Sequence, residues 1–91
     1  MSNLSISVNH DVTAAHHDEG MVILHVSNGH LYTSNRIGSC IWRGIERRLP
    51  LEAIAQEISE VYHIALPTAC EHAQRFVGEL ERHVLVRREA L

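Results

Sequence analysis

The chain has 91 residues, a formal net charge of -3 and an apolar fraction of 45%. That leaves room for one hydrophobic core and not two, and the acidic balance excludes a bulk electrostatic grip on nucleic acid or on an anionic lipid surface. No stretch approaches the ~18 apolar residues of a membrane span, and no basic segment with an apolar run of signal length opens the sequence, so a cytoplasmic protein without membrane contact is expected.

Leu4, Ile6 and Val8 alternate with Ser5, Ser7 and Asn9, the pattern of a half-buried strand that could extend to Val12. Residues 9–20 are rich in His, Asp and Glu and close on Asp18-Glu19-Gly20, so they read as a connection ending in a turn. Met21-Val22-Ile23-Leu24-His25-Val26 is a short β-branched run and predicts a second strand. Asn28-Gly29 then predicts a two-residue type I′ hairpin, a turn that needs positive φ at both central positions. It leads into a third strand over residues 30–33, with Tyr32 and Thr33 as strand formers.

Ser34 and Asn35 are N-capping residues, and after them Ile37, Ile41 and Ile45 recur at helical spacing. A first helix is expected over residues 36–48, with Cys40 and Trp42 on or beside its inner face. Pro50 opens a second helix over residues 51–62, its inner face made by Leu51, Ile54, Ala55, Ile58 and Val61. Glu52, Gln56, Glu57, Ser59 and Glu60 lie opposite. Pro67 stands at a first-turn position of a third helix running to about residue 83. Its inner face would hold Ala69 or Cys70, then Ala73, Phe76, Val77 and Leu80. Val84, Leu85 and Val86 form a short apolar end. The outline is an α+β fold, winged helix-turn-helix-like: a three-stranded antiparallel sheet followed by a three-helix bundle, in one domain over residues 1–91.

Catalytic chemistry finds little support in this pattern. Eight histidines are present, but no His-Glu-x-x-His, no Cys-x-x-Cys and no ligand-spaced array occurs, so no metal and no cofactor are expected. Cys40 and Cys70 read as buried packing thiols. Ser39-Cys40 lies inside a helix rather than on an exposed elbow, and Glu71-His72 are adjacent on a helix and do not face each other. A DNA-binding reading would rest on Arg43, Arg47, Arg48, Arg75, Arg82, Arg87 and Arg88. The third helix, however, mixes Glu71, Glu79 and Glu81 with its arginines, a poor reader of bases.

The third strand offers a different use. With the sheet placed before the helices, one of its edges can stay unpaired. An open edge is a template for an incoming strand, and beside a helix it makes a groove in which an extended peptide can add to the sheet. The pattern alone leaves the alternatives open: a free edge, an edge covered by the N-terminal segment, or one paired with a second copy in a homodimer.

Several segments together resemble the PqqD-like proteins. They are Asn28-Gly29, His30-Leu31-Tyr32-Thr33, the Ser34-Asn35 cap, Gly38, Ile41-Trp42, Leu51-Glu52-Ala53-Ile54-Ala55 and the ending Leu80-Glu81-Arg82-His83-Val84-Leu85-Val86. The resemblance spans about residues 20–86. It implies a non-catalytic recognition element for ribosomally made, modified peptides, which takes the leader of a precursor peptide as an added strand on its third strand, against its third helix. The chain departs from the family pattern at Arg47-Arg48-Leu49-Pro50, at the strand ending Ser34-Asn35 and at His83. The stand-alone leader-binding proteins of lasso-peptide pathways look closer than those that serve pyrroloquinoline quinone. For that group the resemblance implies a separate, transglutaminase-like leader peptidase as partner, with a cyclase downstream. The alternatives are a peptide chaperone for a radical SAM enzyme and a winged-helix DNA-binding regulator.

On this reading Gly29, His30, Leu31, Tyr32, Thr33 and Ser34 supply backbone pairing and strand-side contacts. Ala69, Ala73, Phe76, Val77 and Leu80 line an apolar pocket. His72, Arg75, Glu79 and Arg82 stand at its rim.

Overall fold

The computed structural model describes residues 4–90. Eight elements follow in chain order: β1 (Leu4–Val8), β2 (Val12–His17), β3 (Gly20–His25), β4 (His30–Asn35), α1 (Arg36–Glu46), α2 (Leu51–Tyr62), α3 (Leu66–Arg82) and β5 (Val86–Ala90). The α+β architecture matches the expectation, a three-stranded antiparallel sheet followed by three helices.

The membership of that sheet differs. Its order is β2-β3-β4, and β1 lies outside it, paired antiparallel with β5 from Leu4↔Ala90 to Val8↔Val86. The strand β2 occupies the region expected to be a connection. It is short of large apolar residues because Val12, Ala14 and His16 are its half-buried positions and Thr13, Ala15 and His17 its exposed ones. Alternation is there, carried by small and polar side chains. Asn9 joins the two sheets: its amide donates to the Leu85 carbonyl at 2.9 Å and its Nδ2 to the Val84 carbonyl at 2.8 Å.

The β3–β4 connection is also longer than expected. The last pair is His25↔His30, so the loop holds four residues, 26–29. Gly29 has φ +71 and Asn28 does not share the left-handed region, which rules out the two-residue type I′ turn. Asn28 serves instead as a side-chain brace, its Oδ1 accepting from the His30 amide at 2.9 Å. Gly20 permits the other turn: with φ +153, a Cβ there would lie 1.8 Å from the Ser34 carbonyl oxygen.

Asn35 caps α1, its Oδ1 accepting from the Gly38 amide at 3.0 Å. The helix ends at Glu46, two residues before the expected limit, and Arg48 turns the chain at φ 61. Gly44 lets α2 approach closely, because a Cβ there would stand 2.6 Å from Ile54 Cγ1. The core gathers Met21 and Ile23 of β3, Ile41, Trp42 and Ile45 of α1, Ile54, Ala55 and Ile58 of α2, and Ala69, Ala73, Val77 and Leu80 of α3. Leu85 and Val86 complete it, which gives the apolar ending its place. Val61, expected on the inner face of α2, is exposed. Among the described residues no helix is long and apolar enough to cross a membrane.

Candidate functional site

The strand β4 is a sheet edge. It pairs with β3 from Gly20↔Asn35 to His25↔His30, and its outer side has no strand partner among the described residues. The N-terminal strand does not cover it, since β1 is committed to β5. Its outward backbone groups are therefore the template that strand addition requires.

Within β4, Tyr32 and Ser34 are half-buried, whereas His30, Leu31, Thr33 and Asn35 are exposed. The half-buried pair approaches α3 and its end. The rings of Tyr32 and His83 lie 4.8 Å apart, centroid to centroid, tilted by 43°. Ser34 and Phe76 converge on Gly38: a Cβ on that glycine would meet Ser34 Oγ at 2.5 Å, Ser34 Cβ at 2.7 Å and Phe76 Cε1 at 3.1 Å. Edge strand, α1 start and α3 thus meet where only a glycine fits.

The exposed side of α3 follows from helical spacing. His72, Phe76, Glu79 and His83 stand at i, i+4, i+7 and i+11, one stripe along the helix and its cap. Phe76 is half-buried and the other three are exposed. Glu79 accepts from Arg82 Nη1 at 2.8 Å and lies 4.0 Å from His83 Nε2. Arg75 pairs with Glu71 at 3.2 Å, an exposed contact of small energetic weight.

Four residues expected to line the pocket do not reach its surface. Ala69, Ala73 and Val77 are fully buried and Leu80 is 4% exposed. They face the rest of the core, and their small or compact side chains let α2 and α3 pack closely. Of the apolar set only Phe76 has surface to offer. Leu31 and Thr33 are exposed but alternate with Tyr32 and Ser34, so their side chains leave the sheet on the other face. Two residues outside the expected set, His83 and Gly38, belong to this border. Helical spacing from Phe76 and Glu79 was the available signal for His83. For Gly38 it was a glycine in the first turn of the helix, three residues after the Asn35 cap.

A family model described as coenzyme PQQ synthesis protein D (PqqD) matches residues 20–86. The chain belongs to the PqqD family. Its fold agrees with that of the solved structure "TbiB1 in Complex with the TbiA(beta) Leader Peptide", with a TM-score of 0.82 and 27% identity over 89% of this chain and 94% of that one. A second structure, "Lasso peptide synthetase B1 complexed with the leader peptide", superposes with a TM-score of 0.82 at 18% identity, over 90% of this chain and 96% of that one. No curated protein matches the chain at a significant level. In this PqqD-family chain the matched region runs from the first residue of β3 to the first of β5. It includes the free edge, the Gly38 contact and the whole of α3.

Proposed function

We propose that this chain binds the leader of a ribosomally made precursor peptide as a fourth strand on β4, against the His72-Phe76-Glu79-His83 stripe of α3. The observation that carries the reading is the unpaired β4 edge lying beside α3 in a fold shared with a TbiB1–leader-peptide complex. Main-chain hydrogen bonds from β4 would supply affinity, and the Tyr32, Ser34 and Phe76 surfaces would select side chains. The role is that of a non-catalytic adaptor: it captures the leader and presents the precursor to a separate leader peptidase, with a cyclase acting later.

The family description favours a second reading, a peptide chaperone for a radical SAM enzyme. The two readings use the same groove and differ only in the enzyme served.

The test is amide hydrogen exchange on labelled protein with and without a synthetic cognate leader. Strand addition predicts slowed exchange for the β4 amides that do not bond to β3. It also predicts shifts in Tyr32, Phe76 and His83 side-chain resonances. Saturable binding that leaves β4 exchange unchanged would overturn the reading.

A further inference from the structure

The sheet has a second free edge. In the order β2-β3-β4, β2 lies at the border opposite β4 and likewise has no outer partner among the described residues. Where β2 ends, a cleft of about 820 Å³ opens between His16 and His17, α1 and α2. It is separate from the β4–α3 border.

Its floor is built and its wall is cationic. His16 Nδ1 and Ser39 Oγ share a 2.6 Å hydrogen bond that ties β2 to α1. Arg36, Arg43 and Arg47 stand along α1 at i, i+7 and i+11, a line of guanidinium groups about 16 Å long at helical rise. Arg36 is anchored by donating from Nε to the Asp18 carbonyl at 2.5 Å, which fixes its position without neutralising it. Arg47 is neutralised by Glu57, with both carboxylate oxygens 2.8 Å from Nη2. Neither Arg36 nor Arg43 enters any ion pair among the described residues. Glu46 in the same lining enters no ion pair among the described residues either, so with Arg47 and Glu57 cancelling each other the cleft keeps a net charge of +1 in a chain of net charge -3, a local reversal of sign.

We infer that this cleft is a second docking surface, taking an extended acidic segment of the enzyme to which the leader is delivered. The inference rests on the adaptor reading above. Occupancy at opposite edges of one sheet lets the leader and the enzyme be held together, as delivery demands. Charge complementarity selects an acidic peptide. Glu46 in the same cleft would repel the evenly spaced phosphates of a nucleic acid, whereas a peptide can place its carboxylates on Arg36 and Arg43 and a neutral or basic residue beside Glu46.

The experiment uses the full chain, isotopically labelled, and an acetylated Glu-Ser repeat decapeptide as probe. It is run free, with saturating cognate leader, and on the variants Arg43→Glu and Arg36→Glu/Arg43→Glu. The expected result is saturable shifts at His16, His17 and residues 36–47, retained when the leader is bound. The charge reversals should weaken probe binding by about tenfold or more while leaving leader affinity unchanged. Absent shifts, shifts on β4 and α3, or equal binding by folded variants would overturn it. So would tighter, steeply salt-dependent binding of a short DNA duplex to the same residues. The arms separate the two readings. A leader that fails to bind removes the adaptor function, while the free-protein arm still reports on the cleft. If the double variant loses its thermal transition, Arg43→Glu alone decides, because the Arg43 side chain holds no hydrogen bond among the described residues and its carbonyl still accepts from the Arg47 amide.

Discussion

The ring of Tyr32 on the sheet edge stacks on the ring of His83 at the end of α3, with centroids 4.8 Å apart. The contact joins the strand that offers the template to the helix that walls it. It also closes one end of the border; on the proposed binding mode a leader side chain would seat nearer Phe76, Ser34 and Gly38.

His83→Ala removes the stack and leaves the β4 backbone intact. An aromatic pair of this kind is worth about 0.5–1.5 kcal/mol beyond the area it buries. The unfolding free energy should fall by that amount, read as a lower urea midpoint at an unchanged m-value, and leader dissociation should be faster. A midpoint identical to that of the parent chain would show that the stack holds nothing.

Gly38→Ala tests the convergence of Ser34 and Phe76. The new methyl would sit 2.7 Å from Ser34 Cβ, and a Cβ is fixed by its own backbone, so β4 must move. Overpacking of this sort costs about 1–3 kcal/mol. Because the displaced strand is the proposed template, Gly38→Ala should weaken leader binding, whereas Gly78→Ala, in the interior of α3 where a Cβ meets nothing within 4 Å, should leave binding unchanged and raise stability by about 0.5–1 kcal/mol. Isothermal titration of both variants with the leader makes the comparison.

The sheet edge depends on a carboxylate outside it. Asp11 is held below its ordinary value of 3.8, chiefly by the hydrogen bond to the Ser27 side chain, with the Ser27 amide helping. That amide donates to Asp11 Oδ2 at 3.2 Å, pinning the loop that turns β3 into β4. A carboxylate depressed in the folded state stabilises above its unfolded value, and the contribution is lost as pH falls through the folded one. In an acid titration followed by amide shifts, Ser27 and the β4 hairpin should loosen only below 3.8. Asp11→Asn should abolish that step.

Much of this border was readable in residue order, and the reasons for the rest are physical. Pro50, Pro67 and the Asn35 cap announce helix starts locally, so α2 and α3 fall within a residue or so of expectation. The partnership of β1 with β5 joins the two ends of the chain, Leu4 to Ala90, and no local pattern records it. For β2, inward Ala14 and His16 give too weak an alternation to signal a strand. On α3 the apolar face was found, but its role was reversed. Ala69, Ala73 and Val77 are small or compact because α2 packs on them, not because a guest does. The stripe proposed to face the peptide lies one step round the helix, where His72, Glu79 and His83 look like ordinary solvated residues.

Phe76 decides whether that stripe is a binding surface. It is the one apolar residue of α3's expected pocket set that keeps surface, half-buried beside Gly38 and Ser34. Phe76→Ala should cost more than about 1 kcal/mol of leader binding, as truncating a central apolar anchor does. The fold should survive, since Ala73, Val77 and Leu80 keep the core contact of the same helix. Val77→Ala is the converse case: fully buried, it should lower stability while folded molecules bind leader normally. Anisotropy with labelled leader gives the affinities and thermal unfolding the stabilities. If Phe76→Ala stays folded and binds unchanged while Val77→Ala loses affinity, the leader seats on the core face after all and the stripe is only solvent surface.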